Sequence, residues 1–356
     1  MKMSVRRKVK ILFLQFVKLL GGFELARQLT RDRLRILAYH GVALTDEYRF
    51  NPLLFIKPET FKKRMEYLQN RGFKIIPLSC VTKFLQNELL PQDGVVITFD
   101  DGWYLVREQL LPILKNLCFP FTIYVTTYYV DSGYPVFNVL VRYLIWKTPK
   151  NTVDLPFLKN GMDGQLFELN RREQKNELLC LVLEYIENLS TPEDRLKCVA
   201  TLADKLGFDS RSVLRNPVFR LISWEDIKTI LQEGGDVQLH THRHHFPISD
   251  PEGMAKEIVD NQRALESMVS VRPVHFCYPS GLFSPACYSL LEALGVETAV
   301  TCEAGLVGHH SVKYALPRFL DGENISWLEF EAEMMGVLEI MRIIRSRFMT
   351  LVSWIK

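Results

Sequence analysis

Short apolar runs recur along this chain, with helical patterns between several of them, and this alternation restricts its fold more than any other feature. Ile36–Tyr39, Phe73–Leu78, Val95–Phe99, Phe121–Thr126, Val237–Leu239, Val274–Tyr278 and Thr298–Thr301 read as buried strands. Amphipathic stretches lie between them at Pro58–Asn70, Tyr104–Leu117, Trp224–Glu233, Glu252–Ser270 and Pro285–Leu294. Strands alternating with helices of that length predict βα units and a parallel sheet. About seven such strands predict an α/β chain folded as a (β/α) barrel, complete or incomplete.

Residues 132–220 break the pattern. They carry long helical periodicities at Arg171–Leu189 and Glu193–Leu206 and no clear strand. We read a helical insertion in the barrel, which either shapes access to a site or serves as a stabilising flank. The expected organisation is a basic helical arm over 1–33, a barrel over 34–330 and an amphipathic helix over 331–356.

Composition adds limits. A hydrophobic fraction of 47% and a charged fraction of 24% are enough for a substantial core. A net charge of +3 gives no footprint for nucleic acid. The seven cysteines are odd in number, form no CxxC pair and sit mostly in apolar runs. Free thiols in a reducing compartment fit them better than a disulfide scaffold. The apolar run Ile11–Leu20 is interrupted by Gln15 and Lys18, short of the roughly 20 residues a spanning helix needs. No small-x-small cleavage site follows it, so the expected location is cytoplasmic.

Four strand ends carry chemistry. Val95–Phe99 runs straight into Asp100, Asp101 and Gly102. Two adjacent carboxylates at the edge of a core need a cationic partner, such as a metal ion, although an Asp-Gly turn would also account for them. His240-Thr241-His242-Arg243-His244-His245 places four of the eight histidines within six residues. His240 and His244, four apart, lie on one face of a helical turn and can meet one cation. Tyr278-Pro279-Ser280-Gly281 is explained by turn chemistry alone. His40 follows Ala38-Tyr39 at the end of the first strand. In parallel βα architectures the C-terminal strand ends gather on one face, where active sites are built.

Taken together, Thr98–Gly102, His240–His244 and Tyr278–Gly281 resemble the TFDDG, HTxxH and YPxG motifs of the polysaccharide deacetylase family (NodB homology, carbohydrate esterase 4), over roughly residues 34–320. The resemblance implies a deformed (β/α) barrel. It implies a metal site of Asp101, His240 and His244, with Asp100 as general base. A late histidine in an apolar context is absent, and His309 and His310 do not match it. The early His40 resembles the acid of permuted relatives that deacetylate poly-N-acetylglucosamine. Phe276 and Cys277 stand where an arginine is usual, so Arg318 becomes the candidate to orient Asp100. Tyr278, Pro279 and Gly281 would contact substrate and supply an oxyanion donor from the backbone.

The implied reaction is metal-dependent hydrolysis of an N-acetyl group from an amino sugar. Zinc is the first choice of metal, with cobalt, nickel or iron compatible with the ligands. Two rivals stand beside it. One is a non-catalytic saccharide-binding protein on the same scaffold. The other is an amidohydrolase using His240-x-His242. Nothing in the sequence fixes the sugar, which could be polymeric, nucleotide-linked or lipid-linked. Val337–Lys356 repeats apolar residues at Leu338, Met341, Ile344, Phe348, Leu351 and Ile355, with Arg342, Arg345, Arg347, Trp354 and Lys356 among them. The stretch Val5–Phe23 has the same basic and apolar character. Both fit peripheral contact with an anionic inner leaflet, and for Val5–Phe23 simple packing against the barrel is the stronger expectation.

Overall fold

Eight short strands, most of them buried because helices cover the sheet, form the centre of the computed structural model, which describes residues 4–130, 132–158 and 166–354. They are β1 (Arg35–Tyr39), β2 (Lys74–Ile75), β3 (Gly94–Phe99), β4 (Thr122–Val125), β5 (Asp236–Leu239), β6 (His275–Cys277), β7 (Thr298–Val300) and β8 (Phe319–Leu320). All pair in parallel, in the order β7-β6-β5-β4-β3-β1-β8. β2 pairs with the first two residues of β3 and β4 with the last two. Strands buried on both faces read as continuous apolar runs, which is why β1 and β3 were legible in the sequence. The expected deformed barrel is the observed fold.

The sheet curls, and one segment joins its edges. Leu316 pairs in parallel with Val300 of β7. Three residues later Phe319 pairs with Leu37 of β1. Side chains of period two then divide the core. Ile36, Val96, Tyr124, Cys277, Val300 and Leu316 fill the barrel interior, while Leu37, Tyr39, Ile97, Phe99, Ile123 and Val125 face the surrounding helices.

The insertion lies between β4 and β5. Its helices are Phe137–Lys147, Arg172–Glu187 and Pro192–Lys205. The expectation of a strandless segment is corrected here: Thr152–Asp154 and Leu166–Glu168 form a small antiparallel pair. Three-residue strands are too short to show periodicity. The insertion is tied to the barrel by the Tyr143 hydroxyl, which donates to Asp46 at 2.7 Å, and by the 5.6 Å ring contact of Tyr143 with Phe50.

Four helices gather beside β1 and β8: α1 (Val5–Leu19), α2 (Gly22–Thr30), α3 (Trp327–Met334) and α4 (Val337–Trp354). On α4, Leu338 is buried, Met341 half-buried and Ile344 exposed. Arg342 is engaged by Glu333 and Glu339. The side chains of Phe348, Leu351 and Trp354, and all of Ile355 and Lys356, lie outside the described residues. No helix among the described residues is long and apolar enough to cross a membrane.

Arg64, on the helix Pro58–Asn70, is fully buried and pairs with the equally buried Asp321, just beyond β8. It also donates to the Ile325 carbonyl at 2.8 Å. Arg64→Met leaves a buried carboxylate without its cation and should lower unfolding stability by about 3–5 kcal/mol in urea titration. The double variant Arg64→Met, Asp321→Leu should recover much of that loss. Equal stability of the wild type and the single variant would show the pair to be dispensable.

Candidate active site

Strand parity decides which of the two adjacent carboxylates enters the barrel. Val96 and Thr98 point inward, so Asp100 does too, and it is 2% exposed. Arg318 meets it with both prongs of its guanidinium, Nη1 to Oδ1 at 2.7 Å and Nη2 to Oδ2 at 2.8 Å. Arg318 also donates to the Thr301 carbonyl and to Thr98 Oγ1. Burial alone would raise the carboxyl pKa of Asp100, but the adjoining guanidinium outweighs it and brings it down to about 2.

Asp101 would face outward were its backbone ordinary. Its φ is 69° and that of Gly102 is 82°, a left-handed turn that aspartate and glycine tolerate better than most residues. The turn brings Asp101 Oδ1 to 3.1 Å from His240 Nε2 and 3.3 Å from His244 Nε2. Asp101 Oδ2 is occupied by the indole N–H of Trp103 at 2.9 Å. Its pKa falls well below the carboxylate range, because the hydrogen bonds from His240 and His244 override the opposing effect of burial.

The histidine segment is not the helical turn expected from its spacing. It is a loop in which Thr241 (φ 61°) and His244 (φ 56°) are left-handed, and this returns His244 toward His240. The two rings lie 5.0 Å apart. His240 Nδ1 donates to the Cys277 carbonyl at 2.8 Å, which fixes the ring and directs Nε2 at Asp101. His242 turns away to Thr127 Oγ1 at 2.9 Å, so the His240-x-His242 pair of an amidohydrolase site does not form. His309 stacks on Phe84, away from the site.

His40 ends β1 with Nε2 3.6 Å from Asp100 Oδ2. The Tyr278 N–H is taken by the Val300 carbonyl at 3.3 Å and the Gly281 N–H by the Tyr278 carbonyl at 3.0 Å. Neither amide is directed at the site, and Pro279 has no N–H. Ser280, left-handed at φ 56°, is the residue of this turn beside Tyr278 that lines the cleft.

Two ligand sets are geometrically available: Asp101, His240 and His244, or Asp100, His240 and Cys277, each with donor atoms within 4.8 Å of one another. The second is the poorer. Arg318 already takes both oxygens of Asp100, and burial holds the Cys277 thiol well above its usual pKa and therefore neutral. The first combines a carboxylate and two imidazoles, a donor set suited to a borderline divalent ion.

Asn261 was not singled out in the sequence. Wholly buried, it accepts from the His240 N–H at 2.9 Å and donates to the Val125 carbonyl and Thr127 Oγ1. It thereby ties the histidine loop to the end of β4. A signal existed: on the helix Pro251–Val269 it shares the buried face with Met254, Ile258 and Leu265, where an amide is out of character.

Above these groups opens a cleft of about 1350 Å3, its mouth included. Part of its wall comes from the insertion, with Phe137, Val139, Leu183, Ile186 and Arg195.

The family model for Polysaccharide deacetylase matches residues 88–299, more than half of the chain. The chain belongs to the polysaccharide deacetylase family. It is accordingly a hydrolase of carbon–nitrogen bonds other than peptide bonds. No curated protein matches it. Solved structures share the fold. A Streptococcus pyogenes deacetylase, PplD, in complex with acetate aligns with TM-score 0.57 and 17% identity over 85% of this chain and 98% of its own. IcaB from Ammonifex degensii gives 0.55 and 18% over 85% and 97%. A de-N-acetylase from Aggregatibacter actinomycetemcomitans gives 0.54 and 13% over 85% and 99%. Asp100, Asp101, His240 and His244 lie inside the matched deacetylase segment, whereas His40 and Arg318 lie outside it.

Replacing Arg318 by Met leaves Asp100 buried without its cation, so its pKa must rise. The acid limb of the kcat/KM profile should move up by about 1–3 pH units. Arg318→Lys, which keeps the charge but loses the fork, should recover part of the shift. A profile unmoved in Arg318→Met would separate Arg318 from the group that sets the acid limb.

Proposed function

We propose that the protein removes the N-acetyl group from an amino sugar in a saccharide or saccharide precursor, using a divalent ion, zinc first, held by Asp101, His240 and His244. The observation carrying this reading is the convergence of those two ring nitrogens on one Asp101 oxygen, beside a second carboxylate that Arg318 keeps ionised. An ion bound there would supply Lewis acidity and lower the pKa of water at neutral pH.

The rest of the chemistry falls to the chain. Asp100, ionised and immobilised by Arg318, takes the proton of the attacking water. The water oxygen bonds to the acetamide carbon, and Ser280, which lines the cleft, is the remaining candidate in the Tyr278–Gly281 turn for a donor to the oxyanion. The carbon–nitrogen bond then breaks and its electron pair goes to nitrogen. His40 supplies the proton that makes the sugar amine a leaving group. Acetate and a free amino sugar result. A purely saccharide-binding role is disfavoured because base, acid candidate and ligand set are all assembled at one cleft.

The cleft also bears on substrate class. Phe137, Val139, Leu183, Ile186 and Leu221 make much of one wall apolar, which suits an amphiphilic, lipid-linked saccharide better than a bare polymer. The described cysteines are all unpaired thiols, in keeping with a cytoplasmic enzyme working at the inner leaflet.

Asp101→Ala and His240→Ala should lose the ion, read by mass spectrometry of the purified protein, whereas Asp100→Asn should retain it and lose acetate release from a chitooligosaccharide. Near-normal turnover of Asp100→Asn would remove Asp100 as the base. His40→Ala should keep its metal and fall roughly a hundredfold or more in turnover. If His309→Ala shows that pattern instead, the acid has been misassigned.

A further inference from the structure

Helix α1 faces the wrong way for a helix that merely covers a barrel. Its sequence, VRRKVKILFLQFVKL, contains five basic residues and no acid. Three of the basic residues turn inward: Arg7 and Lys10 meet Glu329 at 2.5 and 3.2 Å, and Lys18 meets Glu331 at 2.5 Å. Both glutamates belong to α3. Of the apolar residues, only Leu14 is buried among them. Val5, Val9, Leu12, Phe13, Phe16 and Leu19 recur at helical spacing and are exposed, Leu12 to 65% and Leu19 to 84%. Leu20 continues the run, and Leu25 and Leu29 on α2 are exposed as well. The amphipathic pattern foreseen in the sequence is therefore present, but the inward face combines Leu14, Ile11 and Val17 with three paired basic residues, and most of the apolar stripe meets solvent.

We propose that α1 is a docking helix for the surface of an anionic phospholipid bilayer, lying in the plane of the lipid with Val9, Leu12, Phe13, Phe16 and Leu19 inserted. Water is a poor environment for a stripe of this size, so a covering phase of matching chemistry is required. Two observations select lipid. Fifteen residues are too few to span a bilayer, and no helix among the described residues qualifies as a span. The outward charges on α1 itself, Arg6 and Lys8, are both basic and form no ion pair among the described residues. An apolar stripe of Leu and Phe on a helix whose charged residues are all Lys and Arg is the pattern of helices that rest at an anionic interface. The glutamates of α3 act as the clamp: they hold the basic face of α1 against the barrel and fix the apolar face outward.

Arg7 also donates to the Asn324 carbonyl, in the loop after β8 that leaves the catalytic end of the barrel. The first turn of α1 therefore sits at the same end of the barrel as the cleft. The proposal rests on the deacetylase reading only for what the enzyme would find at the membrane, a lipid-linked saccharide; docking is measured without activity.

The test uses the full chain and flotation with phosphatidylcholine vesicles, with and without phosphatidylglycerol. The wild type should partition onto the phosphatidylglycerol vesicles. Leu12→Gln with Phe16→Gln should lower the partition at least tenfold while leaving the thermal midpoint and the hydrolysis of a soluble chitooligosaccharide unchanged. Arg6→Gln and Lys8→Gln should each lower it about fivefold at low salt. Equal partition of the wild type and the Leu12/Phe16 variant overturns the proposal, as does binding indifferent to lipid charge. So does a wild type that sediments as a dimer without lipid while that variant sediments as a monomer, which would make a second copy the occupant of the face. Failure of the deacetylase reading appears separately, as no hydrolysis by any of these proteins.

Discussion

A guanidinium and a carboxylate enclosed in the same barrel interior set the terms for everything around them. Neither Arg318 nor Asp100 could be buried alone, since the desolvation of either ion costs several kcal/mol. Together they form a bidentate pair, and Arg318 finds further acceptors in Thr98 Oγ1 and the Thr301 carbonyl. The pair leaves Asp100 no rotamer freedom and no second role. In the proposed mechanism metal ligation therefore falls to its neighbour, Asp101, because one carboxylate is committed to an arginine and the other faces two imidazoles.

Alternation along a strand directs every second residue into a barrel, so adjacent residues cannot both serve one site unless the backbone turns. Each of the three loops that build this site contains such a turn. Asp101 and Gly102, Thr241 and His244, and Ser280 and Gly281 are all left-handed. Such conformations persist only where the surroundings over-determine them. Here Trp103 holds Asp101, Asn261 holds the His240 backbone, and the Cys277 carbonyl holds the His240 ring.

The same physics explains what could be read from the sequence. β1 and β3 announced themselves because strands buried on both faces must be apolar throughout, and an abrupt change to Asp-Asp or His marks where they leave the core. The residues alone showed that the motifs holding Asp101, His240 and His244 follow apolar strands, and the family resemblance joined the three into one ligand set. The helical reading of the histidine loop failed because spacing of four does not distinguish a helical turn from two left-handed kinks. The Thr152–Asp154 and Leu166–Glu168 pair is too short for any period to emerge. The orientation of α1 was beyond periodicity altogether: a pattern shows that a helix has two faces, and only the position of Glu329 and Glu331 shows which one the protein holds.

Barrel closure has a temporal consequence. The segment that joins the sheet edges, from Leu316 to Leu320, is also the one that carries Arg318, and 218 residues separate Arg318 from Asp100. During synthesis the ribosome delivers both carboxylates and both histidines well before it delivers the arginine. The nascent chain thus receives Asp100, Asp101, His240 and His244 early and the guanidinium that pairs with Asp100 last, with the segment that closes the barrel.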